Sequence, residues 1–228
     1  MTTVDAEKLL KYISKVFKPH PWHGLEARPK GDESLVNAYI EIVPTDRVKY
    51  EIDKDSGYLM VDRPQKFSNI VPSLYGFIPR TYSGEKLAKY TNDLLGRTDL
   101  VGDSDPLDLC VLTEKPITHG DLLLKAVPIG GFRMLDDGEV DDKIIAVLKD
   151  DPIYSMWEDV SACPESVINS LRHYFLTYKE IPGSSENQKI EITHTYSRKE
   201  AETIIALGCE DYQDKYGFVG LDVIFNAD

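Results

Sequence analysis

Apolar and polar positions alternate in blocks that change period twice along the chain. Residues 4–17 carry Leu9, Leu10, Ile13, Val16 and Phe17 at helical spacing, with Lys8, Lys11 and Lys15 elsewhere on the wheel. The pattern predicts an amphipathic helix, followed over residues 18–35 by an irregular connector rich in Pro, Gly and charge. Period-two alternation then takes over. It predicts strands over Tyr39–Val43 and Val48–Ile52, and a hairpin into Tyr58–Val61 through the turn Asp53-Lys54-Asp55-Ser56-Gly57. Lys66 to Arg80 is aromatic and punctuated by proline, which predicts a packed but irregular segment. Residues 83–102 predict a loop or short helix. Further strands are expected near 107–112, 122–129, 130–134 and 144–148.

The helical period returns in Ser161–Tyr178, with Val167, Ile168, Leu171, Phe175 and Tyr178 on one stripe. A last helix is expected to open on a capping box, Ser197-Arg198-Lys199-Glu200, after a strand at Ile190–Thr195. Many short strands followed by helices predict an α+β fold, mainly β: a small barrel of the oligonucleotide-binding type with flanking helices. The expected organisation is a single domain over 1–228. It has an N-terminal helix and connector (1–35), a barrel core (36–150) and a helical C-terminal part (160–228).

Charge narrows the function classes. The 228 residues carry a net charge of −13, which disfavours nucleic acid as a partner, because phosphate backbones are bound by Lys/Arg surfaces. No stretch approaches the 18 apolar residues of a membrane span, and residues 1–18 lack the apolar core of a signal peptide. Three widely spaced cysteines, Cys110, Cys163 and Cys209, form no CxxC pair and read as free thiols. A cytoplasmic protein is the expectation.

The chemistry concentrates in Asp103-Ser104-Asp105-Pro106-Leu107-Asp108, which runs straight into the apolar Leu109-Cys110-Val111-Leu112. Three carboxylates within six residues repel one another unless a cation lies between them, and carboxylate oxygens suit hard divalent ions. In an extended chain Asp103 and Asp105 share a face, and Pro106 lets Asp108 reach back. The plainer alternative is a solvated acidic loop. A calcium loop fits poorly, because Asp108 stands where its glycine belongs. A second acidic turn, Asp136 to Asp142, also runs into an apolar strand through Lys143. Lys49 and Glu51 share parity on one strand, and Arg63 ends the next.

Taken in order, Lys49-Tyr50-Glu51, Val61-Asp62-Arg63, Tyr75-Gly76, Asp103 to Asp108, Asp136 to Lys143, and His173-Tyr174-Phe175 with Tyr178-Lys179 resemble the family I soluble inorganic pyrophosphatases. The resemblance spans Tyr39 to Lys179. It implies a five-stranded barrel, dependence on Mg²⁺ with Mn²⁺ or Zn²⁺ as substitutes, and hydrolysis of pyrophosphate to two phosphates. It also implies homo-oligomers. Carried over by motif, Asp103, Asp108 and Asp141 bind the tightest metal, and Asp108 bridges to a second. Asp136 with Asp141 holds an ion that comes with substrate, and Glu51 another. Asp105 is the general base. Lys49, Arg63, Tyr75, Lys143, Tyr178 and Lys179 contact phosphate, and Glu41 is a supporting carboxylate. Val71 stands where many relatives carry an aromatic, and residues 84–102 exceed the compact bacterial pattern. The alternative class is a non-catalytic metal- or nucleic-acid-binding barrel. Such a lapsed enzyme is expected to have lost Asp105, which is present.

Overall fold

The structure, a computed structural model, describes residues 16–179 and 189–217. Most of the helix expected over 4–17 therefore lies outside the described residues, as do 218–228. Among the described residues, ten strands and three α-helices follow in the order β1 (Val36–Ile42), β2 (Val48–Ile52), β3 (Leu59–Pro64), β4 (Leu74–Phe77), α1 (Glu85–Leu95), β5 (Val101–Gly102), β6 (Asp108–Leu112), β7 (Leu122–Asp136), β8 (Glu139–Val140), β9 (Lys143–Leu148), α2 (Glu165–Thr177), β10 (Ile190–Ser197) and α3 (Arg198–Tyr216).

Five strands close a ring. β1 pairs with β4, β4 with β6, β6 with β9, β9 with β7, and β7 returns to β1. The expected α+β class and five-stranded barrel are both present. All pairs in the ring are antiparallel except β6 with β9, which is parallel and sets Asp108 opposite Lys143. Strands β6 and β9 are apolar on both faces. Leu109, Val111, Ile144 and Ala146 pack in one cluster with Ala201, Ile204 and Ile205 of α3. Cys110, Leu112, Ile145 and Val147 pack in another with Ile168, Leu171 and Phe175 of α2. Double coverage explains why these segments read as continuous apolar runs rather than as alternation.

Three expectations need correction. Leu74–Phe77 is a strand within the segment read as irregular. Its Gly76 lies so close to β1 that a Cβ there would stand 1.9 Å from the Tyr39 carbonyl oxygen. Pro72 and the four-residue length hid the period. The strands expected at 122–129 and 130–134 are one 15-residue strand, whose register shifts between Pro128 and Gly130. The breaker residues mark a bend in a continuing strand, not its end. The capping box is not formed. Ser197 makes no side-chain cap, and Glu200 is drawn to Arg133 at 3.1 Å. Asp159 accepts from the Arg198 N–H instead, at 2.8 Å.

Residues 83–102 hold helix α1 and, at their end, the short strand β5. Its N-terminus is capped from a distance: Asp211 of α3 accepts from the N–H groups of Gly84, Lys86 and Leu87 at 3.1, 2.9 and 3.0 Å. Asp211 is buried, so these bonds are poorly replaced by water. Asp211→Ala is expected to cost about 2 kcal/mol, the upper end for loss of a helix cap. A shift of the chemical-denaturation midpoint of less than a few tenths of a kcal/mol would show that α1 is held otherwise.

Candidate active site

The parallel register of β6 and β9 brings the two acidic segments together. Lys143 at the start of β9 is buried, and its ammonium donates to both Asp108 Oδ2 and Asp141 Oδ1. Burial opposes charging this lysine, but Asp108 and Asp141 outweigh it and hold it well above the usual lysine range. Tyr75, on neighbouring β4, donates its O–H to Asp108 Oδ2 at 2.5 Å. Burial keeps the Tyr75 and Tyr178 phenols protonated, hence available as donors.

Asp103 and Asp105 do converge on this place, but not through extended-chain parity. Ser104 between them takes φ +67°, and the Asp105 N–H donates to Asp103 Oδ1 at 3.0 Å. The acidic segment is a turn, so the i, i+2 rule for strands does not apply to it. Ser83 ties this turn to the second one. Its N–H donates to the Asp105 carbonyl at 2.8 Å, its carbonyl accepts from Ser104 N–H at 3.1 Å, and its hydroxyl donates to the Val140 carbonyl at 2.8 Å. Short parallel pairing of β5 with β8 adds a second tie. Behind the second turn, buried Arg133 lies 3.4 Å from Asp142.

The hairpin β2–β3 supplies the opposite wall. Lys49 and Glu51 share a face as their parity predicts, with Lys49 Nζ 2.7 Å from Glu51 Oε2. Lys49 also lies 2.9 Å from Asp62, and Arg63 is its cross-strand partner. Glu41 of β1 is buried and accepts from the Ile52 N–H at 2.8 Å, which fastens the hairpin to the barrel. Past the end of α2, Lys179 donates to Asp136 Oδ2. Tyr178 stacks on Tyr174, with ring centroids 5.3 Å apart.

All thirteen predicted site residues line one cleft of about 220 Å³. Sequence reading missed Lys54, Glu139, Tyr174 and Phe175, which line it too. Lys54 lies in the hairpin turn, where no periodicity assigns a direction, and its ammonium donates to Asp105 Oδ1. Tyr174 and Phe175 look like ordinary core positions of a helical stripe. Val71 is fully buried in the cluster of α2 and points to packing, not to the cleft.

Crowded carboxylates resist ionisation. Burial, then Asp141 and Asp108, raises Asp103 well above the usual range. Burial also raises Asp105, against the pull of Lys54. Burial raises Asp108 too; Lys143 opposes this and Asp141 adds to it. Glu41 is pushed up to about 8 by burial, reinforced by Asp108 and Glu51. Among the described residues no three Asp, Glu, His or Cys side chains already surround a single point; the Lys143 ammonium lies between Asp108 and Asp141. The donor set is nonetheless oxygen-rich, and Asp136 Oδ1 is buried without a hydrogen-bond partner. These residues fit hard divalent cations.

The electrostatics set a stability trend for the chelator-treated protein. Glu41 has a folded value of about 8 against an ordinary 4.5, so between these values the folded state holds a proton that the unfolded state has lost. Its contribution is fully present below 4.5 and is lost as pH rises through about 8. Asp103, Asp105 and Asp108 act in the same direction. The melting temperature in chelator is expected to fall between about pH 5 and pH 8, and Glu41→Gln to flatten that slope. A melting temperature that rises over this range would contradict the assignment.

Comparison with known proteins agrees with the geometry. Residues 38–213 match the family model described as inorganic pyrophosphatase. The chain is 55% identical over 196 residues to the inorganic pyrophosphatase of Chlamydia muridarum, covering 85% of this chain and 93% of that one. It is 34% identical over 209 residues to soluble inorganic pyrophosphatase 1 of Arabidopsis thaliana, covering 91% and 87%. The crystal structure of inorganic pyrophosphatase from Thermus thermophilus superposes with a TM-score of 0.69 at 26% identity, over 86% of this chain and 99% of that one. With its barrel, its acidic turns and this kinship, the chain belongs to the family I inorganic pyrophosphatases and is an inorganic diphosphatase, hydrolysing inorganic pyrophosphate.

Proposed function

We propose that hydrolysis takes place in the cleft between the hairpin and the two acidic turns, with Mg²⁺ as the divalent cation and Mn²⁺ or Zn²⁺ as substitutes. The observation that carries this reading is the convergence of thirteen side chains, from seven separate stretches of sequence, on one small cleft. Asp103, Asp108 and Asp141 are the principal metal ligands, and Asp136 and Glu51 are further ones. Divalent ions held there supply an acidified water and offset negative charge on both phosphates.

The remaining work falls to the chain itself. Asp105 takes the proton of the attacking water at its carboxylate. Lys49, Arg63, Lys143 and Lys179 bind the phosphates and balance charge as it shifts to the leaving group. Arg63 offers a planar fork, whereas the lysines act as point charges. Tyr75 and Tyr178 add O–H donors without adding charge. Glu41 supports the site through its bond to the hairpin. The cleft volume suits a small inorganic anion.

The chain acts as one domain, in the cytoplasm and as a homo-oligomer. Its cysteines are free, and among the described residues no helix is long and apolar enough to cross a membrane. Tyr58, Met60 and Val61 on the hairpin are exposed apolar side chains available to a second copy. Light scattering is expected to give a multiple of the 25.8 kDa chain mass; a monomer at micromolar concentration would refute self-association.

Phosphate release from pyrophosphate is expected to exceed release from ATP or simple esters by orders of magnitude with Mg²⁺. Asp105→Asn is expected to lower kcat by about 100-fold or more with an unchanged melting temperature. Lys49→Ala is expected to raise KM by about tenfold with little change in metal affinity. Near-full turnover of Asp105→Asn would move the base elsewhere, and an unchanged KM in Lys49→Ala would place that lysine outside the substrate site.

A further inference from the structure

We propose that Lys54 is a positioning residue for Asp105, fixing the orientation of its carboxylate through Oδ1. This rests on the reading of Asp105 as the base. The backbone of Asp105 is held twice, by its N–H on Asp103 Oδ1 and by the Ser83 N–H on its carbonyl. Neither bond restrains the side chain. Among the described residues the carboxylate has a single side-chain partner, the Lys54 ammonium.

Lys54 is itself anchored. Its carbonyl accepts from His20 Nε2 at 3.1 Å. Its turn is braced by Asp53, whose Oδ2 accepts from the Ser56 N–H at 3.0 Å. Gly57, at φ +72°, lies against the His20 ring and Pro21, where a Cβ would meet both at 2.8 Å. The N-terminal connector thus pins the hairpin tip, and the tip presents one ammonium to one carboxylate. The pair contributes little to stability: Lys54 and Asp105 side chains are 45% and 41% exposed, and exposed ion pairs are worth little. What the contact does supply is direction. It commits Oδ1 and leaves Oδ2 to accept the proton, in a reaction where small misplacements of a reacting group are costly.

Steady-state kinetics on pyrophosphate with Mg²⁺ test this, using Lys54→Ala, Lys54→Arg, Asp105→Asn and the double variant Lys54→Ala/Asp105→Asn. Lys54→Ala is expected to lower kcat about tenfold while KM stays within about twofold. Lys54→Arg is expected to recover part of the loss, because its guanidinium still reaches a carboxylate. In the Asp105→Asn background the alanine is expected to cost nothing further. Calorimetry of pyrophosphate binding to Asp105→Asn is expected to be unaffected by Lys54→Ala. Full kcat in Lys54→Ala beside a crippled Asp105→Asn would overturn this inference and leave the base reading intact. Full kcat in Asp105→Asn would overturn both. A raised KM with weakened pyrophosphate binding in both backgrounds would overturn the positioning role and make Lys54 a phosphate contact.

Discussion

The parallel pairing of β6 with β9 is the constraint on which the rest of the site depends. It is the one parallel pair in a five-stranded ring whose other pairs are antiparallel. It places Asp108 across from Lys143, and so delivers a buried ammonium between Asp108 and Asp141. Taking charged groups out of water is expensive, and removing Lys143 would leave two crowded carboxylates without their shared cation. The ring supplies the rigidity to hold them. Each strand carries apolar residues into the packing against α2 and α3, so neither can slide without exposing a full face.

Around that pairing the remaining parts act as ties. Ser83 joins the first acidic turn to the second, and the β5–β8 pair repeats the connection. Helix α1 follows Ser83 directly and is capped by Asp211 from α3. The segment exceeding the compact bacterial pattern is therefore no loose appendage. It fastens the loop that carries Asp103 and Asp105 to the last helix. Arg133 and Asp142, buried behind the second turn, back it from the opposite side.

The charge balance is uneven by design of the chemistry. Eight carboxylates line the cleft: Glu41, Glu51, Asp103, Asp105, Asp108, Asp136, Glu139 and Asp141. The facing bases are Lys49, Lys54, Arg63, Lys143 and Lys179. Burial, with Asp141 adding to it, raises Asp103 and Asp108, and the excess of carboxylates makes the cleft a poor place for an anion alone. Divalent cations held there, as proposed above, would reverse that and allow an acidic chain to act on a phosphate anhydride.

Much of this was legible before folding is considered. Acidic turns that run into apolar strands, with Lys49 and Glu51 in phase, pointed to a carboxylate-rich site on a small barrel, because local spacing records which side chains share a face; the other candidate residues and their roles came from the resemblance of the ordered motifs to the pyrophosphatase family. What the chain alone determined is the inventory: which carboxylates, bases and phenols exist, and on which kind of element each stands. Three-dimensional structure alone decided how they meet. Ser104 in the left-handed region replaces the expected extended geometry, Glu200 leaves its capping box for Arg133, and Lys54 turns from a loop position onto Asp105. Each of these depends on a partner many residues away. Periodicity within a segment carries no record of such partners, whose pairing is set by the burial and charge that the closed barrel imposes.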